Sequence, residues 1–330
     1  MACSFVPNRE KFEMAKQGRI AASSALLAAA AVAALVLPGW MISLATIAFA
    51  NGLVVLGLIV LWRAGLVSFG QALYYCIGAY AVALVGRWTG MTDALVLALI
   101  GGASAGLVAF GVGFLLARYR EIFFAMLSLA LSMILYGLLV KTESLGSTDG
   151  FSVIAPTFFG YAPHQQELLV ALYWLVLAIC AVAALLVGAY FRSVGGALAI
   201  PLRDNEIRVE FLGMSVSRLI HTKLVISGLL GGMGGALAAL AVGHVDPNMS
   251  YWTTSGEFVF ITILSGAGSV VPAFVGSLAF ESVRSFAFAM LPQLWQMLLG
   301  SVLLLTILFL PQGLGSLIMR PRWRRDAEAP

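Results

Sequence analysis

The chain has 330 residues, of which 61% are hydrophobic and only 10% charged, with a mean hydropathy of +0.98. Globular chains carry roughly a quarter charged residues, so a soluble domain is excluded. The net charge of +4 does not call for nucleic acid, because the arginines of RPRWRRD (320–326) read as a cytoplasmic tail beside a membrane.

Runs such as ALLAAAAVAALVL (25–37) do not alternate, which rules out a β-barrel built from ~10-residue alternating strands. In lipid every backbone amide must be bonded within its own segment, so helices are the default span. The sequence therefore predicts an all-α polytopic membrane protein. Ten spans are expected, at 20–37, 40–61, 66–86, 93–117, 122–140, 167–191, 223–243, 254–267, 272–290 and 294–314. Together they form a single transmembrane domain over 1–330. The first run is longer than the ~7–15 apolar residues of a signal peptide and is expected to remain as an uncleaved helix.

Lys and Arg set the orientation. Fifteen of the nineteen fall at 1–19, 118–120, 192–223 and 320–325, while Arg87 and Lys141 fall on the other side. This asymmetry predicts a cytoplasmic N-terminus (1–19), a cytoplasmic loop (192–222) and a cytoplasmic tail (318–330).

Polar residues inside the spans are candidates for a solute path. Asn51, Ser68 and Gln71 either line such a path or glue helices together. The small residues of GLLGGMGGAL (228–237) suit close helix approach, and His221, flanking a span, is expected to snorkel. The eighth span is short, and SGAGS (265–269) followed by Pro272 interrupts the hydrophobic stretch. Backbone groups freed by such a break are tolerated only where protein or a watery cavity satisfies them, so Gly266 and Gly268 are expected to face a pathway. Glu281 and Arg284, three apart, are expected to pair, either as a clamp or in contact with solute.

PLRDNEIRVEFLGMS (201–215) concentrates five charges, Arg203, Asp204, Glu206, Arg208 and Glu210, in a chain that otherwise avoids them. Pro201 suits a first helical turn, Asp204 and Glu206 the positive end, and Gly213 a stop. Ile207, Phe211 and Leu212 form an apolar stripe. A short amphipathic helix over 203–213 is predicted, built to dock a soluble partner. Cys3, Cys76 and Cys180 form no metal or disulfide pattern. The chain has neither GxxxxGK[ST] nor HExxH, and no enzyme or cofactor is indicated.

The segment GGALAIPLRDNEIRVEFLGMSVSRLIHTKLVISGLLGGMGGALAAL (195–240) resembles the cytoplasmic loop and following span of ABC importer permeases of the branched-chain amino acid type, the LivM-like subunit. The residues that carry the likeness are Arg203, Asp204, Glu206, Glu210, Leu212 and Gly213. GLVSFGQALYYCIGAYAVAL (65–84), LSGAGSVVPAFVGSLAF (264–280) and LPQGLGSL (310–317) are similar to three further elements of that family, in the same order. Ala197, Pro201, Ser265 and Val271 depart from its pattern, and LGSTDG (145–150) is a blurred form of its external loop.

The resemblance implies that 203–213 is a coupling helix seated on an ATPase. It also implies a second homologous permease, two ATPase subunits that bind the ATP, a periplasmic solute-binding protein and a bacterial inner-membrane location. The solute it implies is a branched-chain amino acid, with urea, short amides or small organic acids carried by paralogues. An ion-coupled secondary transporter is the alternative from another class. It would have no ATPase to receive a docking helix.

Overall fold

The computed structural model describes residues 38–310, apart from 159, 267, 268 and 291, together with 313–315. The predicted first span, the N-terminus, Gly268 and the C-terminal tail lie outside the described residues. Each of the other predicted spans overlies a helix: α1 Gly39–Trp62, α2 Gln71–Thr89, α3 Ala94–Leu116, α4 Glu121–Lys141, α5 Gln165–Arg192, α9 Val216–Val242, α10 Trp252–Ser265, α11 Val271–Met290 and α12 Trp295–Phe309. Three short helices, α6 Val194–Ala197, α7 Ala199–Asp204 and α8 Glu206–Phe211, fill the loop before α9.

Among the described residues six helices, α1, α3, α4, α5, α9 and α11, are long and apolar enough to cross a membrane. The expected count of ten is therefore approximate. Helix α2, with Gln71 and three tyrosines, is more polar, while α10 has 14 residues and α12 has 15. At 1.5 Å per residue α10 extends about 21 Å, short of a ~30 Å hydrocarbon layer.

Helix α9 sits at the centre and packs on α1, α2 and α3. A Cβ on Gly232 would collide with Ala105, and one on Gly235 with the Tyr75 carbonyl. The glycine run 228–237 thus serves close backbone approach, as expected. Helix α1 is apolar all round and continuously buried from Ala48 to Leu61, the pattern of a helix enclosed by others. The outer faces of α3 and α4 are apolar and exposed, with Leu107 75%, Ile122 70% and Phe123 73% accessible.

Two boundaries differ from expectation for a physical reason. The third span was expected to be helical from 66, yet α2 starts at Gln71 after Gly65 turns the chain with φ +78. The amides freed there are bonded by serines. Phe69 N donates to Ser128 Oγ at 3.1 Å, Gly70 N to Ser68 Oγ at 3.3 Å and Ala72 N to Ser255 Oγ at 3.0 Å. The seventh span was expected from 223, but α9 starts at Val216 because Leu219, Ile220 and Leu224 bury into the cluster beneath the loop.

The two ends of the bundle differ. One gathers Leu61, Leu116, Phe124, Leu202, Val209 and Ile220. The other holds the antiparallel pair β1 (Phe151–Ser152) and β2 (His244–Val245), with Phe151 opposite Val245 and against Tyr80.

Candidate functional site

The charged loop lies across the first of these ends. It is two helices where one was predicted. Asn205 takes an extended conformation (φ −163, ψ 107) between α7 and α8, and its Oδ1 accepts from Arg208 N at 3.3 Å, capping α8. Asp204 consequently closes α7 instead of opening a helix, which corrects its expected place at a positive end. Glu206 does open α8, where its carboxylate pairs with the Arg120 guanidinium. Gly213, with φ +80, ends the element as expected, because a Cβ in the left-handed region is disfavoured.

The inner face of this loop is fixed. Ala199, Leu202 and Val209 are buried among Leu61, Leu116 and Phe124. The Arg203 side chain lies over Gly65. Lys223 Nζ donates to Gly195 O at 3.0 Å and to Tyr190 OH at 3.3 Å, and Arg63 stacks 4.1 Å above the Phe191 ring. The outer face is open: Ile207 is 63%, Leu212 69% and Phe211 88% exposed, with Glu210 exposed beside them. The predicted stripe exists and is turned away from the bundle.

Lys223, which sequence reading counts among the cytoplasmic charges, is buried and ties the loop to α5 and α9. A lysine two turns inside a long apolar helix was the available signal. His221, expected to snorkel, instead bonds Phe110 O at 2.9 Å across to α3.

The candidate path residues separate into two groups. Gln71 is fully buried, and its Nε2 donates to Ser227 O and Ser227 Oγ, both at 3.1 Å, joining α2 to α9. Ser68 supplies a bond at the start of α2. Gln71 holds two helices together, while the Ser68 bond is local to the turn before α2. Asn51 and Glu281 behave differently: Asn51 Oδ1 and Glu281 Oε2 are buried without a hydrogen-bond partner, as are the hydroxyls of Ser277 and Ser269.

Gly266 ends α10 at φ +78, ψ 143, a conformation open to glycine. Beside it Leu314 N donates to Leu264 O at 2.8 Å, and Gly313 abuts Gly266 so closely that a Cβ would not fit. Two stretches far apart in sequence, at 264–266 and 313–314, thus meet at the break.

Across this break α10 and α11 fold back on each other, and the expected Glu281–Arg284 pair gains a third member. Arg284 Nη1 lies 3.3 Å from Glu257 Oε2 on α10 and 3.9 Å from Glu281 Oε2 on α11. Glu257 is the nearer partner, and sequence reading missed it although it is the acidic residue of the eighth span. Trp295 of α12 faces the guanidinium at 5.7 Å, and Tyr75 of α2 lies within electrostatic reach of all three charges.

Two other features do not form sites. An apolar groove of about 550 Å³ between α3, α5 and α9 is walled by residues such as Leu99, Val182 and Met233, which offer a polar solute no partner. GASAG (102–106) has the G-x-S-x-G form, which corrects the expectation that the chain lacks it. Ser104 lies mid-helix in α3 with its hydroxyl given to Gly101 O at 2.9 Å, and not on the strand-to-helix turn a nucleophile needs.

The family model described as branched-chain amino acid transport system / permease component matches residues 40–308. Two curated proteins, each a high-affinity branched-chain amino acid transport system permease protein LivM, are similar. They come from Salmonella typhimurium and Escherichia coli, and each is 28% identical over 79% of this chain and 67% of its own length. No solved structure matches.

Proposed function

Because the chain belongs to the family of permease components of branched-chain amino acid transport systems, we propose that it forms half of the membrane pathway of an ATP-driven importer for such amino acids. A second, homologous permease supplies the other half. Two ATPase subunits bind the ATP, so this chain needs no cofactor of its own. A solute-binding protein delivers cargo to the end carrying β1 and β2. The protein is multi-pass; on this reading it lies in the bacterial inner membrane with both termini in the cytoplasm, where the excess of Lys and Arg belongs.

The observation that carries the reading is the split character of the loop. Its inner face is locked to the ends of α1, α4, α5 and α9, while Ile207, Phe211 and Leu212 stand exposed, uncovered among the described residues. An exposed apolar patch rimmed by charge is the signature of an interaction surface. Drawing the ATPases together would displace this loop, and its attachments would pass the motion into the helices. Asn51, Ser277 and Glu281, each with a buried oxygen that lacks a hydrogen bond, are then where water or solute completes the bonding.

The test is reconstitution of the four membrane-associated subunits in liposomes without an ion gradient. Labelled leucine should accumulate only with internal ATP and external binding protein. Competition by urea, short amides or small organic acids but not by amino acids would reassign the cargo. Uptake driven by an imposed ion gradient without ATP would make the chain a secondary carrier, a class the intramembrane charges alone would suit.

A further inference from the structure

We propose that Glu281 and Ser277 on α11, next to the Arg284–Glu257 pair, form a subsite for the ammonium group of the transported amino acid, with Arg284 facing its carboxylate. This rests on the reading above that the chain carries amino acids.

The cluster holds two carboxylates and one guanidinium, so one negative charge is left over. Arg284 leans to Glu257, at 3.3 Å, leaving Glu281 a looser contact of 3.9 Å and a buried Oε2 with no hydrogen bond. A carboxylate in this state calls for a cation that also donates hydrogen bonds. One turn earlier on the same stripe of α11, Ser277 is 1% exposed and its hydroxyl also lacks a partner. A charged carboxylate and a neutral hydroxyl one turn apart match an ammonium group, which has three donors to distribute.

Access is not sealed. The side chains of Glu281, Glu257 and Arg284 are 14%, 25% and 38% exposed, so the charged edge opens outward from a buried floor. Arg284 has five N–H donors, its hydrogen bond to Glu257 is made from Nη1, and a guanidinium fork of this kind suits the carboxylate of a zwitterion. Trp295, its ring 5.7 Å from the guanidinium, borders the cluster and offers apolar surface for a hydrocarbon side chain. Recognition by one anion and one cation a helical turn apart selects α-amino acids over urea, amides and simple acids, which lack the ammonium group.

The experiment uses the complete importer in liposomes, with binding protein saturating and leucine as the probe. Glu281→Gln keeps the shape and removes the charge, and should lower leucine uptake about tenfold or more, the scale of a lost charge-assisted hydrogen bond. Glu281→Asp should retain most uptake, and Ser277→Ala should lose several-fold. Assembly with the ATPases and ATP hydrolysis stimulated by binding protein should persist in all three, so that Glu281→Gln hydrolyses ATP without moving leucine.

Two results overturn the subsite. One is wild-type uptake by Glu281→Gln. The other is equal loss of uptake, assembly and ATP hydrolysis in Glu281→Gln and Glu281→Asp, which would mark a purely structural clamp. Failure of the unaltered importer to take up any amino acid would instead overturn the functional reading beneath it.

Discussion

Replacing Phe211 by alanine separates the proposed docking surface from the fold. The side chain is 88% exposed in the free permease, so nearly all of its burial energy remains to be gained on contact with a partner. Complete burial of a phenylalanine is worth about 1.5–3 kcal/mol. A ring seated in an ATPase groove therefore contributes about 2 kcal/mol, or roughly 30-fold in affinity, the scale of an interface anchor. The same substitution should change the stability of the permease by less than about 0.5 kcal/mol, since the ring supports nothing in the bundle. Val209→Ala gives the contrast: Val209 is fully buried beneath the loop, and truncating it should cost about 1–3 kcal/mol of stability through lost burial and a residual cavity. The assay is co-purification of ATPase with tagged permease, together with substrate-stimulated ATP hydrolysis. Phe211→Ala and Glu210→Lys should insert and melt normally yet retain little ATPase, and Gly213→Pro should lose ATPase by distorting the loop itself, because proline can neither adopt φ +80 nor make the bond from Gly213 N to Glu210 O. Full ATPase retention with normal coupling in all three would refute the assignment of 203–213 as the docking element.

Gly78→Ala should destabilise the detergent-solubilised protein by about 1–3 kcal/mol, read as a lower melting midpoint, because the added methyl would enter the Gly232 carbonyl at the α2–α9 contact. Gln71→Leu should cost about 1–3 kcal/mol by leaving Ser227 Oγ unpaired in the core, and adding Ser227→Ala should recover part of that loss in a double-mutant cycle. A cysteine at the exposed Asn248 should react with an impermeant reagent applied from outside the cell, whereas one at the exposed Asn205 should not; labelling at 205 would invert the orientation.

The helices were legible because apolar runs near 20 residues have few alternatives in lipid. Their ends were less so, since those depend on bonds from distant residues. Nothing near 66–70 announces that Ser128 and Ser255, some 60 and 180 positions away, will bond the amides at the start of α2. The loop divides the same way. Ile207, Phe211 and Leu212 read correctly as an outward stripe from their spacing alone, while the break at Asn205 escaped notice despite Asn being a good helix cap. Glu257 was hidden by a habit of pairing charges along one helix: its partner lies 27 residues on, across a fold-back that no local pattern encodes.

Lys223 shows what such long-range bonds do for the molecule as a whole. Ammonium groups are rarely buried fully, and this one is held by a carbonyl and a hydroxyl, with no carboxylate within 4 Å among the described residues. It joins the first residues of the loop to α9, the helix whose glycines rest directly on the backbones of α2 and α3. Contacts without intervening side chains leave little room for sliding, because there are no rotamers to absorb a shift. A force applied at Phe211 therefore reaches Lys223 through a loop packed on its inner face, and then enters the most tightly seated helix of the bundle. A cation placed at that joint resists separation of loop and helix more than a weak apolar contact would, since losing its acceptors would strand a buried charge.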